Sequence, residues 1–211
     1  YIRENARLSK RSAYIKFNAP YVKIDTLQIV GIPDDKIIRE FNIMEDSLSL
    51  WFNDQGEIQD TLQFRIKYHK TDDSLQTLVS TWEEFKMMPY KKKFKENKFG
   101  KQVEVLDSVA RYKVEMNSET IEQEGITIEF DYPLIKAPFD SIQYYHITAK
   151  QQRGEEAYTV TPDSTNIRKF YIKPSGEFIS GYEYHLKIPH RIFVDINGNP
   201  CDSLEKKVTL P

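Results

Sequence analysis

The chain has 211 residues, and its 30 basic and 32 acidic side chains give a formal net charge of −2. This balance argues against a general polyanion binder and against a strongly acidic tail. No apolar run approaches the roughly 20 residues needed to span a membrane, and the single cysteine excludes an intrachain disulfide. The chain starts at Tyr1 rather than Met, so we expect a processed or partial chain, in which a missing targeting signal is uninformative.

Alternation of apolar and polar residues with period two dominates the first half and predicts β-strands. The clearest case is Thr61–Tyr68, in which every second residue is apolar. The tyrosine-rich composition agrees with this interpretation, since aromatic residues favour strands. The predicted strands of this half cover 13–17, 27–29, 47–52, 61–68 and 77–85.

A lysine-rich stretch, 86–101, follows these strands. It holds seven lysines, with Tyr90, Phe94 and Phe99 between them, and shows no sustained alternation. We interpret it as a linker or an edge strand, because lysines on a sheet edge discourage edge-to-edge pairing. A nucleic-acid stripe is the alternative, but the balanced charge and the lack of a second basic cluster argue against nucleic acid as a partner.

The second half repeats the alternating pattern and ends in further predicted strands. Turn signals separate them, among them Gln152-Arg153-Gly154 and Asn197-Gly198-Asn199-Pro200. The predicted strands of this half cover 112–116, 126–130, 141–148, 158–161, 167–173, 182–188 and 206–210.

An internal repeat sets the domain organisation. Ile15–Lys23 recurs as Ile128–Lys136, 113 residues later, and after two extra residues Asp25–Gln28 matches Asp140–Gln143. A spacing of this size corresponds to a whole small domain. Seven or so short strands in about 105 residues, with turns every 8–12 residues, are typical of the immunoglobulin-like sandwich. We therefore predict an all-β chain of two tandem immunoglobulin-like antiparallel β-sandwiches, over 1–100 and 101–211.

Three stretches carry a family resemblance. They are the paired strand–proline motif at 15–20 and 128–133, the segments 46–51, 60–62 and 68–74, and the segments 181–186 and 193–199. In these stretches the chain resembles the tandem Ig-like domains, related to S-layer-protein (SbsA-like) modules, of uncharacterised Bacteroidetes envelope lipoproteins. The resemblance implies a β-sandwich and a cell-envelope location, and it transfers no catalytic residue. In such proteins a further Ig-like module commonly precedes this pair, so we expect a fragment of a larger protein.

Two aromatic residues are the candidate ligand-binding positions. Trp51 falls on the polar face by alternation with Leu50 and Phe52, and an outward tryptophan can stack on a sugar or anchor a protein partner. The interpretation that we favour is that Trp51 packs under the lysine-rich stretch or against the second module. Tyr145 falls on the outward face by the same counting, although a tyrosine there is ordinary.

No motif for catalysis, a cofactor or a metal is evident. Asp195–Asn199 only superficially resembles a calcium loop, since its glycine is at the fourth position rather than the sixth. His185 and His190 have odd spacing on a strand, which points them to opposite faces, and His185 should point to solvent. Cys201 follows Asn199-Pro200 and is interpreted as an unreactive turn residue. Carboxylate pairs for glycoside hydrolysis cannot be located among the 32 acids.

These observations favour a non-enzymatic structural or interaction module of a bacterial cell-envelope protein, a spacer or docking surface. The alternative is a carbohydrate-binding or adhesion module that uses exposed aromatic side chains. We expect no cofactor and no transmembrane segment in this chain, with anchoring by lipidation outside it, a monomeric state, and an unidentified protein or glycan as partner.

Overall fold

The computed structural model describes all 211 residues and is all-β, with 19 strands and one short α-helix. All strands that form sheets pair antiparallel. The chain divides into two compact units, Tyr1–Leu106 and Asp107–Pro211.

The first unit contains nine strands in three sheets. A four-stranded sheet has the order β1-β2-β5-β4, a three-stranded sheet has the order β3-β6-β7, and β8 and β9 form a separate hairpin. A short 3-10 turn, Asp34–Lys36, precedes β4. The strands are β1 Ile2–Ser9, β2 Ser12–Phe17, β3 Ile24–Ile29, β4 Ile37–Phe41, β5 Ser47–Phe52, β6 Leu62–Asp72, β7 Thr77–Met87, β8 Phe94–Glu96 and β9 Gln102–Glu104.

One hydrophobic core joins the four-stranded and three-stranded sheets of this unit. Alternate residues of β2 and β5 supply one side of it, and alternate residues of β3 and β6 supply the other, as period-two alternation requires. Two sheets that share one core are consistent with a β-sandwich. The buried members from these four strands are Ala13, Ile15, Phe17, Leu27, Ile29, Leu48, Leu50, Phe52, Leu62, Phe64, Ile66 and Tyr68.

Strand β1 lies before the first predicted strand and carries a buried arginine. The guanidinium of Arg7 donates hydrogen bonds to the backbone carbonyls of Gln59 (2.9 Å), Asp60 (2.8 Å) and Lys10 (2.7 Å). Burial lowers the pKa of Arg7, and these carbonyls replace the water that the guanidinium loses. Arg7 thereby fixes the loop between β5 and β6 against the edge strand.

The lysine-rich stretch does not form one linker or edge strand. Its first residues complete β7, which runs to Met87, and its last part forms the β8–β9 hairpin, in which Phe94 pairs with Glu104 and Lys95 with Val103. The alternation rule missed this hairpin because its strands are only three residues long. The hairpin belongs to the first compact unit.

The second unit contains ten strands in three sheets and the helix α1, Ile121–Glu124. Two four-stranded sheets have the orders β10-β11-β16-β15 and β14-β13-β17-β19, and β12 pairs with β18. The strands are β10 Tyr112–Glu115, β11 Ile126–Phe130, β12 Leu134–Lys136, β13 Gln143–Ile147, β14 Arg153–Glu155, β15 Tyr158–Pro162, β16 Lys169–Pro174, β17 Glu183–Ile188, β18 Val194–Asp195 and β19 Leu204–Thr209.

Two local expectations for this unit are wrong. Cys201 is not a turn residue: it forms an isolated bridge with Ala110, and its side chain is fully buried in the hydrophobic core. Gln152-Arg153-Gly154 is not wholly a turn, because Arg153 and Gly154 belong to β14. At Cys201, pairing with the distant residue Ala110 overrides the local turn signal of Pro200. At Gly154, pairing with His146 of the same hairpin overrides the turn signal of the glycine.

The internal repeat coincides with equivalent strands of the two units. Ile15 and Ile128 are fully buried in β2 and β11, the second strand of a four-stranded sheet in each unit. Leu27 and Ile142, also matched by the repeat, are both buried; Leu27 lies in β3, and Ile142 directly precedes β13. The repeated residues therefore occupy the same core positions of two similarly ordered units.

Candidate interaction surfaces

The outward side of the β3-β6-β7 sheet forms an ordered grid of polar and aromatic side chains. One row runs from Thr26 of β3 through Lys67 of the middle strand β6 to Trp82 of β7. The neighbouring row consists of Gln28, Arg65 and Glu84. We call these six residues the Trp82 face.

Trp82 is the exposed tryptophan of the chain, with 41% of its surface accessible. It faces outward because β6 directs Phe64, Ile66 and Tyr68 into the core, so that Lys67 and its partner Trp82 must point the other way. An exposed indole with a polar surround is the arrangement that dominates binding energy at many interfaces.

Two cations of β6 lie beside the Trp82 indole. The Cζ atom of Arg65 lies 4.2 Å from the ring centroid and the Nζ atom of Lys67 lies 5.8 Å from it. Arg65 also forms an ion pair with Glu84, with Nε and Oε1 3.3 Å apart. Cation–π contacts at an exposed site contribute about 0.5–1 kcal/mol, so they orient the indole while leaving it accessible.

A second polar cluster extends the Trp82 face towards the turn between β6 and β7. The His69 Nε2 atom lies 3.0 Å from Asp25 Oδ2, and the Ser80 hydroxyl donates a hydrogen bond to the same carboxylate. The bond from Ser80 is the largest cause of the lowered pKa of Asp25. This cluster keeps Asp25 charged beside the cationic centre of the face.

Trp51, the first candidate from the sequence, is not an open binding residue. It does lie on the side of β5 opposite Leu50 and Phe52, between Ser12 of β2 and Ile38 of β4. Only 8% of its surface is accessible, however, and the adjacent Ser12 is also buried. Alternation identified the side of the sheet correctly but could not show that this side is covered.

Tyr145, the second candidate, also faces away from the core and is equally inaccessible, at 8%. The imidazole of His185, on the neighbouring strand β17, stacks on the ring at a centroid distance of 4.8 Å. On the other neighbouring strand, β14, the Cζ atom of Arg153 lies 3.7 Å from the ring centroid. Cross-strand neighbours of this kind lie within contact distance of each other, so protein groups occupy the ring surface that a sugar would need.

His185 is the best-covered histidine on this outward side, which corrects the expectation that it points freely to solvent. Its side chain is only 11% exposed, and Nε2 lies 2.5 Å from Glu183 Oε1. Nδ1 is buried without a hydrogen bond and lies 3.6 Å from Glu205 Oε1. Lys207 pairs with the second oxygen of Glu183 at 3.3 Å, so the cluster is a polar network that connects the two neighbouring strands β17 and β19.

The side chains that sequence reasoning considered for metal binding have other partners. Each of the four histidines lies within ion-pair distance of a carboxylate. The carboxylate of Asp195 accepts hydrogen bonds from the backbone N–H groups of Asn197 (2.9 Å) and Asn199 (3.0 Å), as in a tight turn. No group of three or more His, Cys, Asp or Glu side chains in the structure could hold a metal ion.

Sequence reasoning missed Trp82, although a signal was present. Phe85, in the predicted strand 77–85, packs towards the core, and Trp82 has the opposite parity in that strand. The same counting that selected Trp51 would thus have selected Trp82. Only the structure distinguishes the covered indole from the accessible one.

Comparison with known proteins gives no identification. No family model matches the chain, and no curated protein matches it significantly. The structure also contains no helix that is both long and apolar enough to cross a membrane.

Proposed function

We propose that this chain is a non-enzymatic interaction module of a bacterial cell-envelope protein, built from two Ig-like β-sandwiches, and that the Trp82 face is its docking surface. The observation that carries the docking proposal is the accessible Trp82 indole beside two cations of the neighbouring strand β6. The envelope location rests on the family resemblance of the strand–proline motifs and their neighbouring segments.

Strand order supports the Ig-like part of the proposal. In the first unit β1-β2-β5-β4 and β3-β6-β7 follow the ABED and CFG orders of constant-type immunoglobulin domains. The second unit has the corresponding orders β10-β11-β16-β15 and β14-β13-β17-β19. Here β14 is an added edge strand beside β13. In such a sandwich the inward residues provide stability, so outward residues such as those of the Trp82 face are free to bind.

The chemistry of the face favours a protein partner. Tryptophan and arginine are both among the residue types enriched at positions that dominate protein–protein binding energy. The ring pairs within stacking distance each include at least one side chain that is not exposed. Trp82 therefore has no second open ring beside it to form the extended aromatic platform expected of a glycan-binding surface.

Site-specific photo-crosslinking in intact envelopes tests the proposal. A photoreactive phenylalanine in place of Lys67 or Glu84 should crosslink one discrete partner, and Trp82→Ala in the same chain should abolish that product. The matched control places the photoreactive residue at Lys16, an exposed position on the outer side of the other sheet. Crosslinking that is equal at Lys16, or unaffected by Trp82→Ala, would refute docking through this face.

The carbohydrate-binding alternative predicts a different result. A polysaccharide that binds only the folded chain raises the melting temperature by mass action. If Trp82→Ala abolished this rise in melting temperature and Trp51→Phe did not, the partner at the Trp82 face would be a glycan rather than a protein.

A further inference from the structure

The β8–β9 hairpin presents an exposed phenylalanine at a rigid tip. The side-chain oxygen of Asn97 accepts hydrogen bonds from the backbone N–H groups of Phe99 (2.9 Å) and Lys101 (3.0 Å). Gly100 has a φ of 73°, which glycine adopts without the cost that a side chain would add. This turn holds Phe99 with 76% of its surface accessible, and the Lys98 ammonium lies 5.0 Å from its ring centroid.

Side-chain contacts at its base connect the hairpin to the rest of the first unit. The Tyr90 hydroxyl donates a hydrogen bond to Glu104 of β9 at 3.2 Å, and the guanidinium of the buried Arg7 lies 5.7 Å from the Tyr90 ring. Lys92 pairs with Asp60 at 3.8 Å. Arg7 also binds the Asp60 carbonyl, so the base of the hairpin and the loop between β5 and β6 share one anchor.

Positive charge is concentrated in the segment that contains the hairpin. Residues 86–106 contain seven lysines and two glutamates, a net charge of +5, so the rest of the chain carries −7 to reach the total of −2. A concentration of one sign in one segment of a weakly acidic chain indicates an anionic partner for that segment.

One face of the hairpin combines cations with aliphatic side chains and lacks acids. Lys95 is opposite Val103, and the backbone N–H of Val105 bonds to the carbonyl of Lys93 at 2.7 Å, which places these four residues on the same side. Lys101 lies on this side by alternation with Val103. All five are exposed, whereas Phe94, Glu96 and Glu104 lie on the opposite side. We call Lys93, Lys95, Lys101, Val103 and Val105 the basic hairpin face.

We propose that the basic hairpin face and Phe99 form a docking surface for an anionic lipid membrane. Phe99 and the two valines enter the boundary between headgroups and acyl chains, while the lysine stems lie along the apolar layer and their ammonium groups contact lipid phosphates. Each lysine near an anionic surface strengthens binding, and the effect extends only about a Debye length. The binding needs no membrane-spanning segment and does not depend on the Trp82 face.

The aliphatic side chains favour lipid over nucleic acid as the occupant. Nucleic-acid strands bind by stacking bases on aromatic rings along a basic groove. On the basic hairpin face, however, the groups next to the lysines are valines, because Phe94, the aromatic residue of β8, points to the opposite side of the hairpin. Exposed aliphatic groups gain free energy from an acyl layer and little from a sugar–phosphate backbone.

Co-sedimentation of the full chain with vesicles tests this proposal. Vesicles of equal parts phosphatidylglycerol and phosphatidylcholine should bind the chain, and pure phosphatidylcholine vesicles should bind it at least about tenfold more weakly. Replacing Lys93, Lys95 and Lys101 by Glu should lower binding by at least about tenfold, because three attractive charges become repulsive. The matched control replaces three exposed lysines elsewhere, Lys36, Lys150 and Lys206, by Glu.

A second variant separates insertion from charge attraction. Phe99→Ser keeps every lysine, so it should preserve binding at low salt but remove the part that persists in high salt, where charge attraction is screened. Equal loss of binding in the control triple variant would overturn the proposal, as would tight binding to double-stranded DNA or heparin without binding to the anionic vesicles. The latter result would identify a soluble polyanion as the partner.

Discussion

The Tyr145 ring lies parallel to the His185 imidazole, with the centroids 4.8 Å apart and the planes inclined by 6°. Arg153 lies within 3.7 Å of the same ring centroid. The three side chains come from three neighbouring strands, β14, β13 and β17, and so connect one four-stranded sheet across its outer side. Tyr145 is therefore a packing residue that happens to face away from the core.

We expect Tyr145→Ala to lower the free energy of unfolding by about 1–3 kcal/mol, the usual range for losing a well-packed aromatic cross-strand neighbour. Tyr145→Phe keeps the stacked ring and should change it by less than about 0.5 kcal/mol. Urea denaturation of the full chain measures both values, with the exposed Phe94→Ala as control. Unchanged stability in Tyr145→Ala would mean that the stack contributes nothing.

The two tryptophans should report opposite environments in fluorescence. In Trp82→Phe the remaining Trp51 is buried, so we expect blue-shifted emission and weak quenching by acrylamide. In Trp51→Phe the remaining Trp82 is exposed beside Arg65 and Lys67, so emission should be red-shifted and easily quenched. Iodide should quench it more strongly than caesium does, because the two cations attract anions.

These spectra also check the assignment on which the docking proposal depends. If Trp51 were the more readily quenched residue, the accessible indole would lie on the four-stranded sheet and the Trp82 face would lose its defining residue. Equal quenching of both tryptophans by iodide and caesium would argue that the cations do not contact the Trp82 ring.

Much of the fold could be predicted because alternation acts locally. Leu62, Phe64 and Ile66 are buried, as their period-two spacing predicts. The side of the sheet on which Trp51 and Tyr145 lie follows from the same rule. Whether a side chain on that side is accessible depends on the side chains of neighbouring strands, such as β14 and β17 around Tyr145. The residues next to Tyr145 in sequence do not show which strands these are.

Several short strands were not predicted from the sequence, for a related reason. Strands β8, β9 and β14 have three residues each, which is too few to show a period. They are stabilised by pairing with a partner, and in β14 the partner of Gly154 is His146. The lysine-rich stretch therefore resembled a linker in sequence, although part of it is an ordered hairpin.

Gly154 is required because the His146 imidazole lies directly over it. An added Cβ at Gly154 would be 2.3 Å from His146 Cε1. The ring cannot move easily, since His146 Nδ1 is 2.5 Å from Glu156 Oε1 and the ring stacks on Tyr182 at 5.1 Å. We expect Gly154→Ala to destabilise the chain by about 1–3 kcal/mol, as overpacking does.

A double-mutant cycle measures this clash separately from other effects of the substitution. His146→Ala removes the obstructing ring, so adding Gly154→Ala to it should cost much less than in the wild-type chain. Gly56→Ala is the control, because its Cβ would be 3.1 Å from the end of the flexible Asp54 side chain. Additive effects of the two substitutions would show that His146 is not the obstacle.

The Asp163 carboxylate should make stability depend on pH at both extremes. It accepts hydrogen bonds from the Tyr171 hydroxyl and from the backbone N–H groups of Thr165 (2.8 Å) and Asn166 (2.9 Å). The bond from Tyr171 is the main cause of the lowered pKa of Asp163, and the same bond raises the pKa of Tyr171. The folded state thus favours charged Asp163 and neutral Tyr171.

The directions of the two pKa shifts define two pH ranges in which stability should change. A lowered carboxyl pKa contributes stability above the ordinary aspartate value of 3.8, which is lost as pH falls below it. A raised tyrosine pKa contributes stability below the ordinary value of 10.0, which is lost as pH rises above it. Asp163→Asn, which preserves the backbone hydrogen bonds, should therefore lower the melting temperature most at neutral pH and least in strong acid. Tyr171→Phe should lower the melting temperature most at neutral pH and least in strong alkali. If both variants lowered it by the same amount at every pH, the Tyr171–Asp163 hydrogen bond would not couple the titration of the two groups.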